Sequence, residues 1–266
     1  MTPRHVNLPV TPNRDLGQHF LVDENILGVA GRLAELHRED VVLEVGAGLG
    51  VLTAYLADRV GLVHAVELDR SLEPHLRDRL GGRTNVELVF GDALRLPLHE
   101  LDPPPGKLVA NLPYQIATPL VAESLGALPT VRLWSVLVQR EVADRFFART
   151  GTKSYGAVSV LVRLTAERTG LHAVARTCFA PPPNVDSALV AFRRTRDWGP
   201  ELARVREVVQ AAFAHRRKTL ANSVELAGLT GRERAVAALG ELGRPASARA
   251  EALEPDELLR LAELLS

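Results

Sequence analysis

The stretch V-V-L-E-V-G-A-G-L-G, from Val41 to Gly50, decides how this chain is read. Five residues dominated by apolar side chains and closed by glycine predict a strand buried on both faces. Gly46, Gly48 and Gly50 stand where that strand must turn sharply into a helix. Glycine suits such a turn because the backbone there takes conformations that a Cβ forbids and can approach a ligand closely. The spacing is G-x-G-x-G, whereas dinucleotide loops carry G-x-G-x-x-G, whose third glycine would fall on Val51. Glu44 before the loop and Glu67 at the end of the next apolar run would repel a pyrophosphate. A cationic, hydroxyl-rich ligand fits them better, and S-adenosylmethionine is both. Taken alone, the stretch is also compatible with a glycine turn that binds nothing.

Outward from the loop, the pattern alternates. A helix is expected around Leu52 to Ala57, a strand from Leu62 to Val66, a helix near Ser71 to Leu80 and a strand from Val86 to Phe90. Lys107 to Ala110 is a fourth strand, entered from the P-P-P turn at Pro103 to Pro105, Val131 to Val138 a fifth, and Ser187 to Phe192 a late one. Such alternation predicts an α/β fold, a Rossmann-like parallel sheet with right-handed crossovers. Upstream, residues 1–15 are polar and rich in proline and are expected to form a flexible arm. Structure begins at Leu16, with Asp23 as N-cap of a helix carrying Ile26, Leu27, Ala30, Leu33 and Ala34. Tyr155 to Leu164 is apolar without a clean period, and its pattern leaves helix and strand both open. R-R-T-R-D-W-G-P, Arg193 to Pro200, breaks the pattern. The expected domains are therefore 16–197 and a small all-helical domain, 198–266, which opens with Leu202, Val205, Val208, Val209, Ala212 and Phe213 at helical spacing.

The 266 residues are enough for a large domain and a small one. The 32 basic and 32 acidic residues cancel, so any nucleic-acid footprint must be a local patch. Basic residues concentrate from Arg193 to Lys218, net +5, whereas Thr219 to Ser266 has a net charge of −3. Arg216, Arg217 and Lys218 at the expected domain junction are candidate phosphate contacts, although such a run is more often a solvated helix face. The single Cys178 excludes an internal disulfide, and no metal-ligand cluster is evident. No signal peptide or long apolar run is present, so a soluble cytoplasmic protein with no membrane partner is expected.

In an open parallel sheet, ligands sit beyond the carboxyl ends of the strands. Those ends here carry the glycine loop, Glu67 for two ribose hydroxyls, Asp92 of G-D-A for an adenine amino group, and N-L-P-Y at Asn111 to Tyr114. Glu67 and Asp92 taken singly could be solvated loop acids; three polar strand ends in register argue for a site. An aromatic amine such as adenine N6 is a poor nucleophile because its lone pair is delocalised into the ring. Acceptors that bind its N–H groups, the Asn111 amide oxygen and a backbone carbonyl at Leu112 or Pro113, would aim that lone pair at a sulfonium methyl. Tyr114 would stack on the base, and catalysis would be positioning and electrostatics. A Pro-Tyr turn that merely closes a strand is the bland alternative.

Gly17 to Leu27, E-V-G-A-G-L-G, V-E-L-D at Glu67, G-D-A, N-L-P-Y, F-A-P-P-P-N-V-D-S-A at Phe179 to Ala188 and F-A-H-R-R-K-T-L-A-N at Phe213 to Asn222 together resemble the KsgA family of small-subunit ribosomal RNA adenine dimethyltransferases. The resemblance spans nearly the whole chain. It implies cofactor contacts from His19, Leu21, Gly46, Gly48, Glu67, Asp92 and Asn111, with Tyr114 and Phe179 flanking the target base. It also implies a helix at Tyr155 to Leu164, S-adenosylhomocysteine as the product, and two adjacent adenosines near the 3′ end of small-subunit ribosomal RNA as the substrate. A monomer acting on a pre-assembled small subunit is the expected working form. His19 stands where relatives often have Asn, and a histidine there is equally able to be a packing residue. Asp186 and Ser187 are expected to cap the final strand. The rivals are a large-subunit dimethylase, against which R-R-K-T-L argues, and a non-catalytic ribosome-assembly or transcription factor on the same fold, against which Glu67, Asp92 and Asn111 argue.

Overall fold

The computed structural model describes residues 8–13 and 15–266. Residues 1–7 and 14 of the expected flexible arm lie outside it. The described part of the arm is anchored: Leu8 and Val10 pack against the core, and the Asn13 N–H donates to Gln18 Oε1 at 2.8 Å.

In chain order the first elements are β1 (Phe20–Leu21), α1 (Glu24–Leu33), β2 (Val41–Val45), α2 (Val51–Ala57), β3 (Leu62–Glu67), α3 (Glu73–Leu80) and β4 (Val86–Phe90). They continue with β5 (Lys107–Asn111), α4 (Ala117–Ala127), β6 (Leu133–Gln139), α5 (Arg140–Phe146), α6 (Ala157–Thr165), β7 (Ala166–Val174), β8 (Phe179–Ala180) and β9 (Ser187–Arg194). The helices α7 (Glu201–Ala214), α8 (Leu220–Leu226), α9 (Arg232–Glu241) and α10 (Pro255–Leu264) complete the chain. Asp23 caps α1 as its sequence suggests, accepting from the Asn25 N–H.

Two compact units result: residues up to Ala143 with Arg168–Arg194, and Asp144–Glu167 with Thr195–Ser266. The first holds a seven-stranded sheet in the order β4-β3-β2-β5-β6-β9-β7. Its central pairs, β3 with β4, β2 with β3, β2 with β5 and β5 with β6, are parallel as expected. The expectation of a wholly parallel sheet is corrected at β9, which pairs antiparallel with β6 from Leu133↔Arg193 to Gln139↔Ser187. Strand order runs one way through β2, β3 and β4 and the other way through β5 and β6. A crevice therefore opens between β2 and β5 at their carboxyl ends.

The boundary also differs from the expected break at Asp197, because 144–167 groups with the C-terminal helices. The cause is the side chains of that segment. Val158, Val160, Leu161, Val162 and Leu164 of α6 are buried, α6 packs against α7 and α10, and the Tyr155 ring meets the Phe213 ring edge-on at 5.7 Å. A helix apolar on nearly all sides needs neighbours on all sides, which α7 and α10 supply. The helix implied by the family resemblance is therefore present, and it is followed directly by the unanticipated strand β7.

Not every basic residue of the Arg193–Lys218 run is a surface charge. Arg194 is 5% exposed, and its guanidinium donates to the carbonyls of Val131, Leu125 and Leu128 at 2.9, 3.0 and 3.2 Å. Two of these carbonyls, Leu125 and Leu128, belong to the last turn and C-cap of α4, which lack helical partners. Trp134 lies beneath that guanidinium and stacks on Phe192 at 5.1 Å.

Candidate active site

Ten of the eleven residues expected at the cofactor and the reacting amine line one cavity in the first unit: His19, Leu21, Gly46, Gly48, Glu67, Asp92, Asn111, Leu112, Pro113 and Tyr114. The eleventh, Phe179, does not. Its ring is 3% exposed and belongs to the core, and its strand β8 pairs antiparallel with β1, setting Leu21 opposite Phe179. An aromatic residue at the edge of an apolar layer gains more from burial than from waiting exposed for a base. The run Arg216–Lys218 lies in the second unit.

The floor of the cavity is the turn from β2 into α2. Gly46 and Gly48 have φ of +82° and +56°, in the left-handed region where a Cβ is strained. A Cβ on Gly46 would also come within 3.0 Å of Pro113 Cδ, so this glycine lets the β2 and β5 ends approach. The loop is tied to the next strand. The N–H groups of Gly46 and Ala47 donate to the Val66 carbonyl at 2.8 and 3.2 Å, and that of Gly48 donates to Glu67 Oε2 at 2.8 Å. Glu67 Oε1 accepts from the Asp69 N–H at 2.8 Å. Burial raises the Glu67 carboxyl above its ordinary range, and these backbone N–H bonds offset part of the rise.

Glu44, the acid inside β2, also lines the cavity. It is 1% exposed, and burial pushes its carboxyl up to about 8, with the charge of Glu67 adding to the effect. The Thr53 hydroxyl faces this carboxyl and offsets part of the rise, but neither Thr53 Oγ1 nor Glu44 Oε2 reaches hydrogen-bond geometry with a described residue. A buried polar atom of this kind in a cavity wall marks a place where a polar ligand group or water completes the bonding.

The opposite wall is built from β1, the end of β5 and the segment after it. Asn111 Nδ2 donates to the His19 carbonyl at 3.3 Å, which fixes the amide plane and leaves Oδ1 as the free acceptor. His19 Nδ1 donates to the Pro181 carbonyl at 2.8 Å, so the ring is held by packing and one backbone bond. Asp92 Oδ1 accepts from the Leu94 N–H at 3.0 Å, and the acid pairs with exposed Arg95. The two carbonyls of N-L-P-Y are not equivalent. That of Pro113 already accepts from the N–H groups of Ile116 and Ala117, both at 3.1 Å, at the start of α4. The Leu112 carbonyl accepts nothing from the described residues, and its own N–H is bonded to the Leu137 carbonyl at 3.0 Å.

The Tyr114 hydroxyl shares a 2.7 Å hydrogen bond with Ser187 Oγ. Burial raises the phenol above its ordinary value, so the ring stays neutral at physiological pH. Its centroid is 5.7 Å from that of His19. Ser187, expected only as a strand cap, therefore orients an aromatic ring of the cavity. Nothing in local sequence signals this, because the partners are far apart in the chain and are joined only by the antiparallel arrival of β9.

A sheet of this order, with a glycine turn and acidic strand ends at its switch point, defines a Rossmann-like methyltransferase. The chain belongs to the ribosomal RNA adenine dimethylase family, whose model matches residues 10–265. It is 46% identical to the ribosomal RNA small subunit methyltransferase A of Rubrobacter xylanophilus over the full length of both chains. It is 42% identical to the protein of that name from Pelotomaculum thermopropionicum, over 96% of this chain and 91% of the other. Among solved structures, the 23S rRNA methyltransferase ErmE matches with a TM-score of 0.65 and 32% identity, covering 92% of this chain and 99% of that one. A dimethyladenosine transferase from Plasmodium falciparum shares the fold, with a TM-score of 0.72, 24% identity and coverage of 91% and 96%. The protein is an S-adenosylmethionine-dependent RNA methyltransferase. The cavity fits that cofactor: Glu67 and Asp92 offer acceptors for its hydroxyl and amino groups, and Glu44 adds an unbonded polar atom to the wall. No group of three or more His, Cys, Asp or Glu residues able to hold a metal occurs among the described residues, and no helix there is long and apolar enough to cross a membrane.

Proposed function

We propose that this protein dimethylates N6 of two adjacent adenosines in a single-stranded loop near the 3′ end of small-subunit ribosomal RNA. It would act as a cytoplasmic monomer on a pre-assembled small subunit. The observation that carries the chemistry is that Asn111, whose Oδ1 is left free by the bond from Nδ2 to His19, and Leu112, whose carbonyl is unbonded, line the same cavity. Two free acceptors on consecutive residues match the two N–H groups of a primary aromatic amine. Holding both draws the nitrogen toward tetrahedral geometry and exposes its lone pair. Of the Leu112 and Pro113 carbonyls, that of Leu112 is the unbonded one, which favours it for this role.

S-adenosylmethionine, when bound, supplies an electrophilic methyl on a sulfonium. Glu67, Asp92, Gly46, Gly48, Leu21 and His19 would hold it, with Asn111 touching both cofactor and target. Tyr114 would stack on the base, its ring fixed through Ser187. Phe179, buried in the core, would act on the site only through Leu21, which stands opposite it and lines the cavity. No strong base is needed, since the alkylated amine loses its proton readily. Arg216, Arg217 and Lys218 would serve the RNA backbone.

Full-length similarity to small-subunit enzymes, at higher identity than to the large-subunit enzyme, supports the small-subunit reading. Two measurements test it: mass spectrometry of ribosomal RNA nucleosides from a strain lacking the chain, and methyl transfer to purified small and large subunits. Loss of dimethyladenosine from the small-subunit RNA is expected. Loss from the large-subunit RNA alone would assign the rival substrate, and no loss together with no transfer would assign a binding role.

A further inference from the structure

We propose that the loop Arg149–Lys153 joins Arg217 and Lys218 in one phosphate-binding surface of the second unit, and that Arg216 clamps the two segments together. The inference rests on the RNA reading above and adds residues that the sequence did not single out. Two segments more than sixty positions apart are fastened to each other at several points. Tyr155, just after the loop, is fully buried, meets Phe213 just before the basic run, and donates its hydroxyl to the Leu253 carbonyl at 3.0 Å. The Gly151 N–H donates to the Glu251 carbonyl at 2.9 Å. Arg216 completes the join, donating to the Lys153 carbonyl at 3.1 Å and pairing with the Glu251 carboxylate at 3.3 Å.

These contacts divide the cations into two kinds. One terminal nitrogen of Arg216, Nη2, is engaged by both a carbonyl and a carboxylate, which makes it a positioning residue. Arg149, Lys153, Arg217 and Lys218 are all exposed, and their side chains make no ion pair or hydrogen bond among the described residues. Glu251, the acid that faces the loop from the third segment, is neutralised by Arg216. Four unpaired cations on two braced segments give a surface complementary to a phosphate backbone, with its register set by the fold and not by flexible arms.

The probe is a fluorescein-labelled RNA hairpin with two adjacent adenosines in its single-stranded loop, and the readout is the slope of log affinity against log salt. The Arg149→Gln/Lys153→Gln and Arg217→Gln/Lys218→Gln doubles should each flatten the slope by about 1.4, from roughly 0.7 per lost phosphate contact on single strands. Arg216→Lys keeps the charge but places it on a shorter stem that does not carry a donor to the Nη2 position between the two oxygens, and it should flatten the slope to the level of the Arg149/Lys153 double. Circular dichroism melts establish that each variant is folded. If only the Arg217/Lys218 double flattens the slope, the loop is not part of the surface and the proposal fails while the RNA reading stands. If neither double does, the RNA is bound elsewhere and the assignment of the basic run fails as well. A wild-type slope in Arg216→Lys overturns the clamp.

Discussion

The backbone N–H of Gly48 donates to Glu67 Oε2 at 2.8 Å, so the acid expected to hold a ribose also holds the glycine turn. Its other oxygen is engaged by the Asp69 N–H. The carboxylate is thus a brace between the β2 turn and the end of β3, and each oxygen retains a lone pair for a ligand. Burial of this group is tolerated because both oxygens are bonded.

From this brace follows an unusual ranking of variants. Glu67→Gln would turn an NH2 toward one of two backbone N–H groups, so it is expected to weaken S-adenosylmethionine binding at least as much as Glu67→Ala. The loss in each case is about 1.5 to 3 kcal/mol, the range for a hydrogen bond to a charged group. Calorimetry on both variants checks this, and a glutamine variant that binds like wild type would show that the bonds to Gly48 and Asp69 are dispensable.

At Asn111 the amide has a donor side and an acceptor side, each with a separate task. Asn111→Ala should lower turnover by on the order of a hundredfold, as loss of a positioned polar group does, with RNA affinity unchanged. Asn111→Asp keeps an acceptor but sets a carboxylate oxygen against the His19 carbonyl, so it should recover little activity. Single-turnover rates beside RNA binding curves distinguish the two effects, and a vigorous alanine variant would remove Asn111 from the mechanism.

Tyr114 and Phe179 should fail in different ways. Tyr114→Ala removes a stacking face worth about 1 to 3 kcal/mol and should act on turnover with the fold intact. Tyr114→Phe and Ser187→Ala break the same hydrogen bond, so each should have a smaller effect and the double variant should be no worse than either. Phe179→Ala empties a core site and should cost about 3 to 5 kcal/mol of stability. Below its lowered melting temperature it should lose turnover while keeping the wild-type salt slope. Additivity of the Tyr114 and Ser187 substitutions would break the proposed link between them.

Glu44 sets a pH dependence on the cofactor-free protein. Its carboxyl binds a proton more tightly folded, at about 8, than at its ordinary 4.5. The stability it permits is therefore complete below about 4.5 and is lost as pH rises toward 8, by about 5 kcal/mol at full ionisation on the scale of roughly 1.4 kcal/mol per pKa unit. Glu44→Gln should remove that slope, and its advantage in melting temperature over wild type should grow between pH 5 and pH 8. A constant difference across that range would contradict the shift.

Much of the fold is legible in the chain because the strands of the parallel core are short apolar runs punctuated by Gly, Pro and Asn. The site is legible for the same reason, since its polar residues stand where those runs end. What escaped has a common physical origin in contacts between distant segments. The two-residue strands β1 and β8 exist only as each other's partners and are too short to carry a period. The strand β7, A-E-R-T-G-L-H-A-V, is exposed through most of its length and so lacks an apolar signal. Arg194 reads like its neighbours as a surface cation, and only the end of α4 makes it a buried donor. Glu44 could have been found: an acid inside an otherwise apolar strand has no solvent to face.

The amides of α4 engage the Pro113 carbonyl, so on the proposed reading the target nitrogen would meet two oxygens and no third. An unmodified amine satisfies both, a monomethylated one only one, and the finished product neither. An acceptor shut away without a donor costs about 1 to 3 kcal/mol, so affinity for the modified base falls stepwise as methyl groups accumulate. Turnover would then need no separate ejection device, because the pair of oxygens proposed to recruit the nucleotide would have nothing left to grip once the work on it is done.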